Sequence, residues 1–195
     1  ICNNGHNIGS DGNIGTQSTI IRFNVSINDG IRPYPTERRG WFSPAMHISG
    51  PVEDTRIYNN VFIIPEKLSD DIDQTIIEMD NWGGPWPKDT WLGNNIFYVE
   101  KRANFVFKED INTIFNSNCF YGVFDQLPDD PNAIFEDPRF KNVFARGEGF
   151  EVLKSFMLTK ESPLIGRGLQ IENNGGLDIL GRVLPSNSIG ALATE

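Results

Sequence analysis

The chain has 195 residues and, with 17 Lys and Arg against 26 Asp and Glu, a formal net charge of −9. That length supports one sizeable core, and that charge argues against a nucleic-acid backbone or an anionic membrane surface as the main partner. No stretch approaches the roughly 18 consecutive apolar residues of a membrane-spanning helix, so no membrane span is expected.

Nineteen Gly and twelve Pro interleave with short β-branched and aromatic runs, and no window keeps a helical apolar period. The class read from this pattern is all-β. In chain order, Ile1–Ser10 reads as mid-coil sequence without a capping helix, and the chain begins at Ile1 rather than Met. Then four units recur in which an apolar residue precedes an asparagine by three positions and a small apolar residue follows it: Ile21…Asn24-Val25, Ile57…Asn60-Val61, Leu92…Asn95-Ile96 and Phe115…Asn118-Cys119. Their asparagines lie 36, 35 and 23 positions apart, which suggests one coil of about two dozen residues with loop insertions in the longer intervals. Asparagine tolerates unusual backbone angles at a bend, and its amide can bond both the backbone and an Asn stacked one coil above. The four units therefore predict a solenoid with an asparagine ladder.

Strands are read within the intervals at 45–49, 61–64, 75–79, 104–108, 120–124 and 133–135. Breaker-rich loops are expected to protrude near 29–44 and 81–91, the second around Asn81-Trp82-Gly83-Gly84-Pro85-Trp86-Pro87. A closing segment is expected near 160–195. The expected whole is a single domain, 1–195, of about five to seven coils. An open first coil implies either further N-terminal coils upstream or a partner polypeptide covering it, because exposed strand edges template aggregation. Cys119 occupies a repeat position otherwise held by Val or Ile and is read as a buried apolar residue.

Three segments resemble a known family. Asp130-Pro131-Asn132-Ala133-Ile134-Phe135-Glu136-Asp137-Pro138-Arg139-Phe140 is similar to the D-P-x-F segment of secreted right-handed parallel β-helix proteins. Ser162-Pro163-Leu164-Ile165-Gly166-Arg167-Gly168, then Asp178…Gly181-Arg182 and Ile189-Gly190-Ala191, resembles their terminal signature, and Ile21–Gly30 looks like one of their coils. Arg139 departs from the usual apolar residue, and Leu192-Ala193-Thr194-Glu195 lacks the usual aromatic. The resemblance implies the pectate-lyase-like superfamily: a right-handed single-stranded parallel β-helix, secreted or periplasmic in a bacterium, that acts on or binds polysaccharide or oligosaccharide.

Chemistry is then sought on the outward side of the strands. If Met46, Ile48, Ile77, Met79, Phe105 and Phe107 face inward, then His47, Ser49, Glu78, Asp80, Val106 and Lys108 face outward. Coils about 4.8 Å apart would align His47, Glu78 and Lys108 as a row, with His6 and Asp11 on the coil before. His47, Glu78, Asp80 and Lys108 are thus the candidate catalytic residues. A lyase would use His47 or Lys108 as base and Arg32, Arg38 or Arg39 to neutralise a uronate carboxylate; a hydrolase would use Glu78 and Asp80 as its carboxylate pair. A solvated polar face without function is the alternative reading of the same row. Trp41, Trp82 and Trp86 in the loops are candidate platforms for sugar rings. No cofactor is indicated with certainty. Ca2+ is the candidate ion, through Asp70-Asp71-Asp73 or Asp129-Asp130, although neither run has the spacing of a dedicated loop. The expected activity is that of a polysaccharide lyase or glycoside hydrolase, and the alternative is a non-catalytic glycan-binding or structural β-helix segment.

Overall fold

The computed structural model describes residues 15–30, 34–66, 74–82, 84–145, 147 and 149–194. Its strands, in chain order, are β1 (Thr16–Gln17), β2 (Ile20–Arg22), β3 (Val25–Ile27), β4 (Met46–Ser49), β5 (Val52–Tyr58), β6 (Val61–Ile64), β7 (Thr75–Asp80), β8 (Lys88–Gly93), β9 (Ile96–Phe107), β10 (Thr113–Asn116) and β11 (Cys119–Phe124). One helical turn, α1 (Phe150–Leu153), runs into a short 3-10 turn. The class is all-β, as expected, and no described helix is long and apolar enough to cross a membrane.

Every strand pair is parallel. One sheet runs β1-β5-β8-β10, with β2 also on β5, and is four levels deep among the described residues. The other runs β3-β6-β9-β7-β4, with β11 on β9. This second sheet curls because β9 serves two faces. Its first half pairs β6 and β11, while Asn104–Phe107 pairs β7.

Register brings the four asparagine units together. Ile21, Ile57, Leu92 and Phe115 stand in one row, and Val25, Val61, Ile96 and Cys119 in another. Between these rows Asn24, Asn60 and Asn95 each donate Nδ2 to the Oδ1 of the next asparagine, at 2.9, 3.0 and 2.9 Å. Each Oδ1 also accepts the backbone amide of the preceding asparagine, at 3.0 Å in every case. The second hydrogen of Asn60, Asn95 and Asn118 goes to the carbonyl of Ile21, Ile57 and Leu92. The row ends on Asp130, whose Oδ2 accepts both the amide and Nδ2 of Asn118, at 2.9 Å each.

The sharp bend lies one residue earlier than expected. Phe23, Asn59, Asn94 and Ser117 have φ between 52 and 60°, so the residue before each row asparagine takes the left-handed conformation. Asn-Asn pairs thereby divide the labour. The first asparagine turns the chain and the second bonds along the row. Five positions before these bends, Ser18, Asp54, Asp89 and Asn112 form a second set of left-handed bends at the same spacing. There Ser18 Oγ donates to Asp54 and Asn112 Nδ2 donates to Asp89.

The interior is apolar and layered. Phe62, Phe97 and Phe120 share a register row and stack at 5.2 and 5.4 Å between ring centres. The opposite face of that sheet is also buried. Val61, Ile63, Ile96 and Cys119 pack against Phe156, Leu164, Ile189 and Leu192 of the C-terminal segment. The run Val-Phe-Ile-Ile at 61–64 is continuous rather than alternating because it is covered on both sides. Burial, helped by the charges of Asp137 and Glu136, pushes the Cys119 thiol pKa up to about 12, so Cys119 is inert packing.

The C-terminal stretch lies along the flank of this sheet. Asn59 Nδ2 donates to the carbonyls of Ser188 and Gly190, while Asn94 bonds Leu169 through both its amide groups. A side chain at 190 would approach Ile96 to 2.7 Å, and Gly190 has φ 87°, so only glycine permits this contact. The segment is pinned by Asp178. Its carboxylate accepts the amides of Leu180, Arg182 and Ala193 and the Arg182 guanidinium at 2.7 Å. Burial opposes its ionisation, but these backbone and guanidinium bonds prevail and hold its pKa below the usual carboxylate value.

Two outcomes follow. Asn95→Ala removes a fully buried amide with partners on both sides, so urea unfolding should show a loss of about 2–3 kcal/mol, against little change for the exposed Asn132→Ala. Because the Asp178 pKa is depressed by folding, its stabilisation is present above the ordinary carboxylate pKa and disappears as pH falls through the lower folded value. The stability gap between wild type and Asp178→Asn, measured by thermal melts, should therefore be widest near neutral pH and narrow in acid.

Candidate functional site

The candidate residues come together on the outer side of β4, β7 and the end of β9. Register sets His47 beside Glu78 and Glu78 beside Val106, with Ser49 beside Asp80. Lys108 therefore does not occupy the row with His47 and Glu78 that spacing predicts; it follows Phe107, whose partner is Met79. A bulge accounts for part of the difference. Ile76 and Ile77 together oppose the single Phe105, so both enter the core and Glu78 is turned outward beyond them.

The Lys108 side chain nonetheless reaches back. Its Nζ lies 2.8 Å from Glu78 Oε1 and 3.6 Å from Asp80 Oδ2. On the other side of Asp80, Oδ1 lies 3.1 Å from His47 Nε2. Glu78 and Asp80 side chains are only 9% and 5% exposed, whereas Lys108 is 50% exposed. Two nearly buried carboxylates thus share one half-exposed ammonium. The hydrogen bond to Glu78 raises the Lys108 pKa, burial pulls against it, and the charges of Glu78 and Asp80 add to the rise. These contacts favour the ammonium form of Lys108 over the neutral amine that a base requires.

Loop residues cover the strands. Phe42 meets His47 edge-on at 5.0 Å, and Trp82 lies 4.7 Å from the same imidazole. The Arg39 guanidinium sits 4.0 Å above the Trp82 ring. An open depression of about 640 Å³ is lined by Arg38, Arg39, Phe42, Asp80, Trp82 and Lys108. A second, of about 390 Å³, is lined by Trp41, Phe42, Glu78 and Val106 together with Thr75 and Asn104. Phe42 borders both, while Asp80 lines the first and Glu78 the second.

The structure thus groups His47, Glu78, Asp80, Lys108, Arg38, Arg39, Trp41 and Trp82. Trp86 is half-buried and lines neither depression. The second loop is also shorter than expected, because β8 starts at Lys88 and carries Trp91 into the sheet, where it rests on Tyr58. Arg32 lies outside the described residues, as do His6, Asp11, Asp70, Asp71 and Asp73. Asp130 spends its carboxylate on the amides of Ser117, Asn118 and Asn132. Among the described residues no group of three or more His, Cys, Asp or Glu is placed to hold a metal ion.

Sequence reasoning overlooked Phe42, which divides the depressions and shields His47. Its only signal was an aromatic beside Trp41 in the turn Gly40-Trp41-Phe42-Ser43-Pro44. No family model matches this chain, and a search of curated proteins finds no match.

Removing the shared cation tests the cluster. Lys108→Ala should destabilise the protein at neutral pH by about 1–2 kcal/mol, less than the ~3–5 of a fully buried pair because Lys108 is half-exposed. Urea titrations of both proteins at neutral pH read the deficit.

Proposed function

We propose that the chain is a right-handed parallel β-helix with an asparagine ladder, of the pectate-lyase-like kind, and that it acts on an anionic polysaccharide outside the bacterial cytoplasm. Parallel pairing among β1 to β11, the hydrogen-bonded asparagine row and the curl of the second sheet support the architecture. The observation that carries the function is the local reversal of charge: on a protein of net charge −9, Arg38, Arg39 and Lys108 converge on one depression beside an indole. Such a set suits a sugar ring bearing a carboxylate, with the ring against Trp82 and the carboxylate among the cations.

The chemistry that fits is elimination. Asp80 is the carboxylate that lines the cationic depression, and His47 braces it from behind. Asp80 would accept the proton from the carbon beside the uronate carboxyl, Lys108 and the arginines would neutralise the charge that develops, and as the glycosidic C–O bond breaks Asp80 would pass that proton to the leaving oxygen, giving an unsaturated sugar and a free hydroxyl. Hydrolysis fits less well, because Lys108 stands between Glu78 and Asp80 and each carboxylate lines a different depression. The competing reading, a non-catalytic glycan-binding or structural segment, is favoured by one contact: Arg39 lies on the Trp82 face that a sugar would use.

A panel of uronate-containing and neutral polysaccharides separates these. The expected result is ultraviolet-absorbing unsaturated product from uronate chains only, reduced about 10²–10⁴-fold in Asp80→Asn. New reducing ends without absorbance would replace elimination by hydrolysis, and binding without product would leave the non-catalytic reading.

A further inference from the structure

The end of β9 is paired on one side only. Asn104 and Lys108 donate their amides to the carbonyls of Gln74 and Met79 on the β7 side. In a parallel ladder the residues between them turn both backbone groups the other way, so the N–H and C=O of Phe105 and Phe107 point away from β7. β11 accompanies β9 only as far as Phe124 opposite Ala103, and the Asp125 amide closes on the Ala103 carbonyl. Beyond that point, among the described residues, no strand pairs Phe105 or Phe107 on the side away from β7.

A depression of about 530 Å³ opens against this edge. Phe105, Phe107 and Phe115 form one wall, with ring centres 5.7 to 6.1 Å apart, and Leu127, 38% exposed, forms another. Asp110 and Asp129 stand at its rim, and among the described residues no Lys or Arg lines it. Its charge is thus opposite to that of the depression around Trp82. Open strand groups, an aromatic socket beside them and an acidic rim are the parts that strand addition uses: backbone bonds for affinity, a socket for one side chain and charge for the next.

We propose that the Phe105–Phe107 edge accepts an extended peptide segment of a partner polypeptide, which adds as a strand, places an apolar side chain in the phenylalanine socket and directs a basic residue to Asp110 and Asp129. This inference does not depend on the carbohydrate reading. An unpaired edge next to exposed apolar surface is otherwise an aggregation hazard, and a bound strand removes it.

The test uses an end-blocked peptide of about six residues alternating Leu and Lys, beside the same peptide with alternate backbone amides N-methylated. The first should slow hydrogen exchange at the Phe105 and Phe107 amides, and the methylated one should bind about tenfold more weakly in fluorescence anisotropy, as loss of one or more backbone bonds requires. Leu127→Glu, at an exposed position, should lower affinity comparably without changing the melting curve, and Asp110→Asn with Asp129→Asn should weaken the salt dependence. Equal binding of the methylated peptide, or unchanged exchange at Phe105 and Phe107, would overturn strand addition. Concentration-dependent self-association of the protein that Leu127→Glu abolishes would overturn the partner in favour of a second copy.

Discussion

Everything in this fold leans on the bonding of buried amides between levels. A parallel strand leaves its hydrogen-bonding groups for neighbours that arrive only after a long crossover of chain, and the corners between strands have no ladder of their own. At one corner the side chains of Asn60, Asn95 and Asn118 supply it. Each is fully buried, each accepts from the level before, and each donates both to the level after and to a backbone carbonyl of the level before. Buried polar groups are tolerable only when satisfied, and a chain of satisfied amides specifies one register and no other. Asp130 ends the row because a carboxylate accepts twice and needs to donate nothing.

That register places the chemistry. With the corners aligned, β4, β7 and β9 come level, and His47, Glu78 and Val106 fall side by side. The bulge at Ile76 and Ile77 then decides which carboxylates face outward, and the loop bearing Arg38, Arg39 and Phe42 roofs them. The resulting cluster is electrostatically economical: Lys108 answers two carboxylates, and Asp80 answers both Lys108 and His47. The sheet edge at Phe105 and Phe107 belongs to the same strand end but offers the opposite charge and an apolar wall, so one element presents two surfaces of different chemistry.

The corner row was legible because its spacing is a property of the chain: Asn24, Asn60, Asn95 and Asn118 sit in the same apolar setting each time. The outward alternation of His47, Glu78, Asp80 and Lys108 was legible for the same reason. What spacing could not carry was the bulge, which adds one residue to β7 and moves Lys108 out of the row, or the reach of a flexible lysine back to Glu78. Nor could it assign Asn59 and Asn94, whose amides hold the C-terminal segment at long sequence separation.

The amino-acid sequence by itself determined the class, the recurring asparagine corner and the set of polar residues on one side of three strands, because these depend on local period and local backbone preference. Tertiary structure alone decided that Trp82 lines the cationic depression while Trp86 does not, that Phe42 borders both depressions, and that the flank of the second sheet is buried under the C-terminal stretch. Those outcomes depend on which loop lies over which strand, and loop placement is set by contacts between residues distant in the chain, where periodicity carries no information.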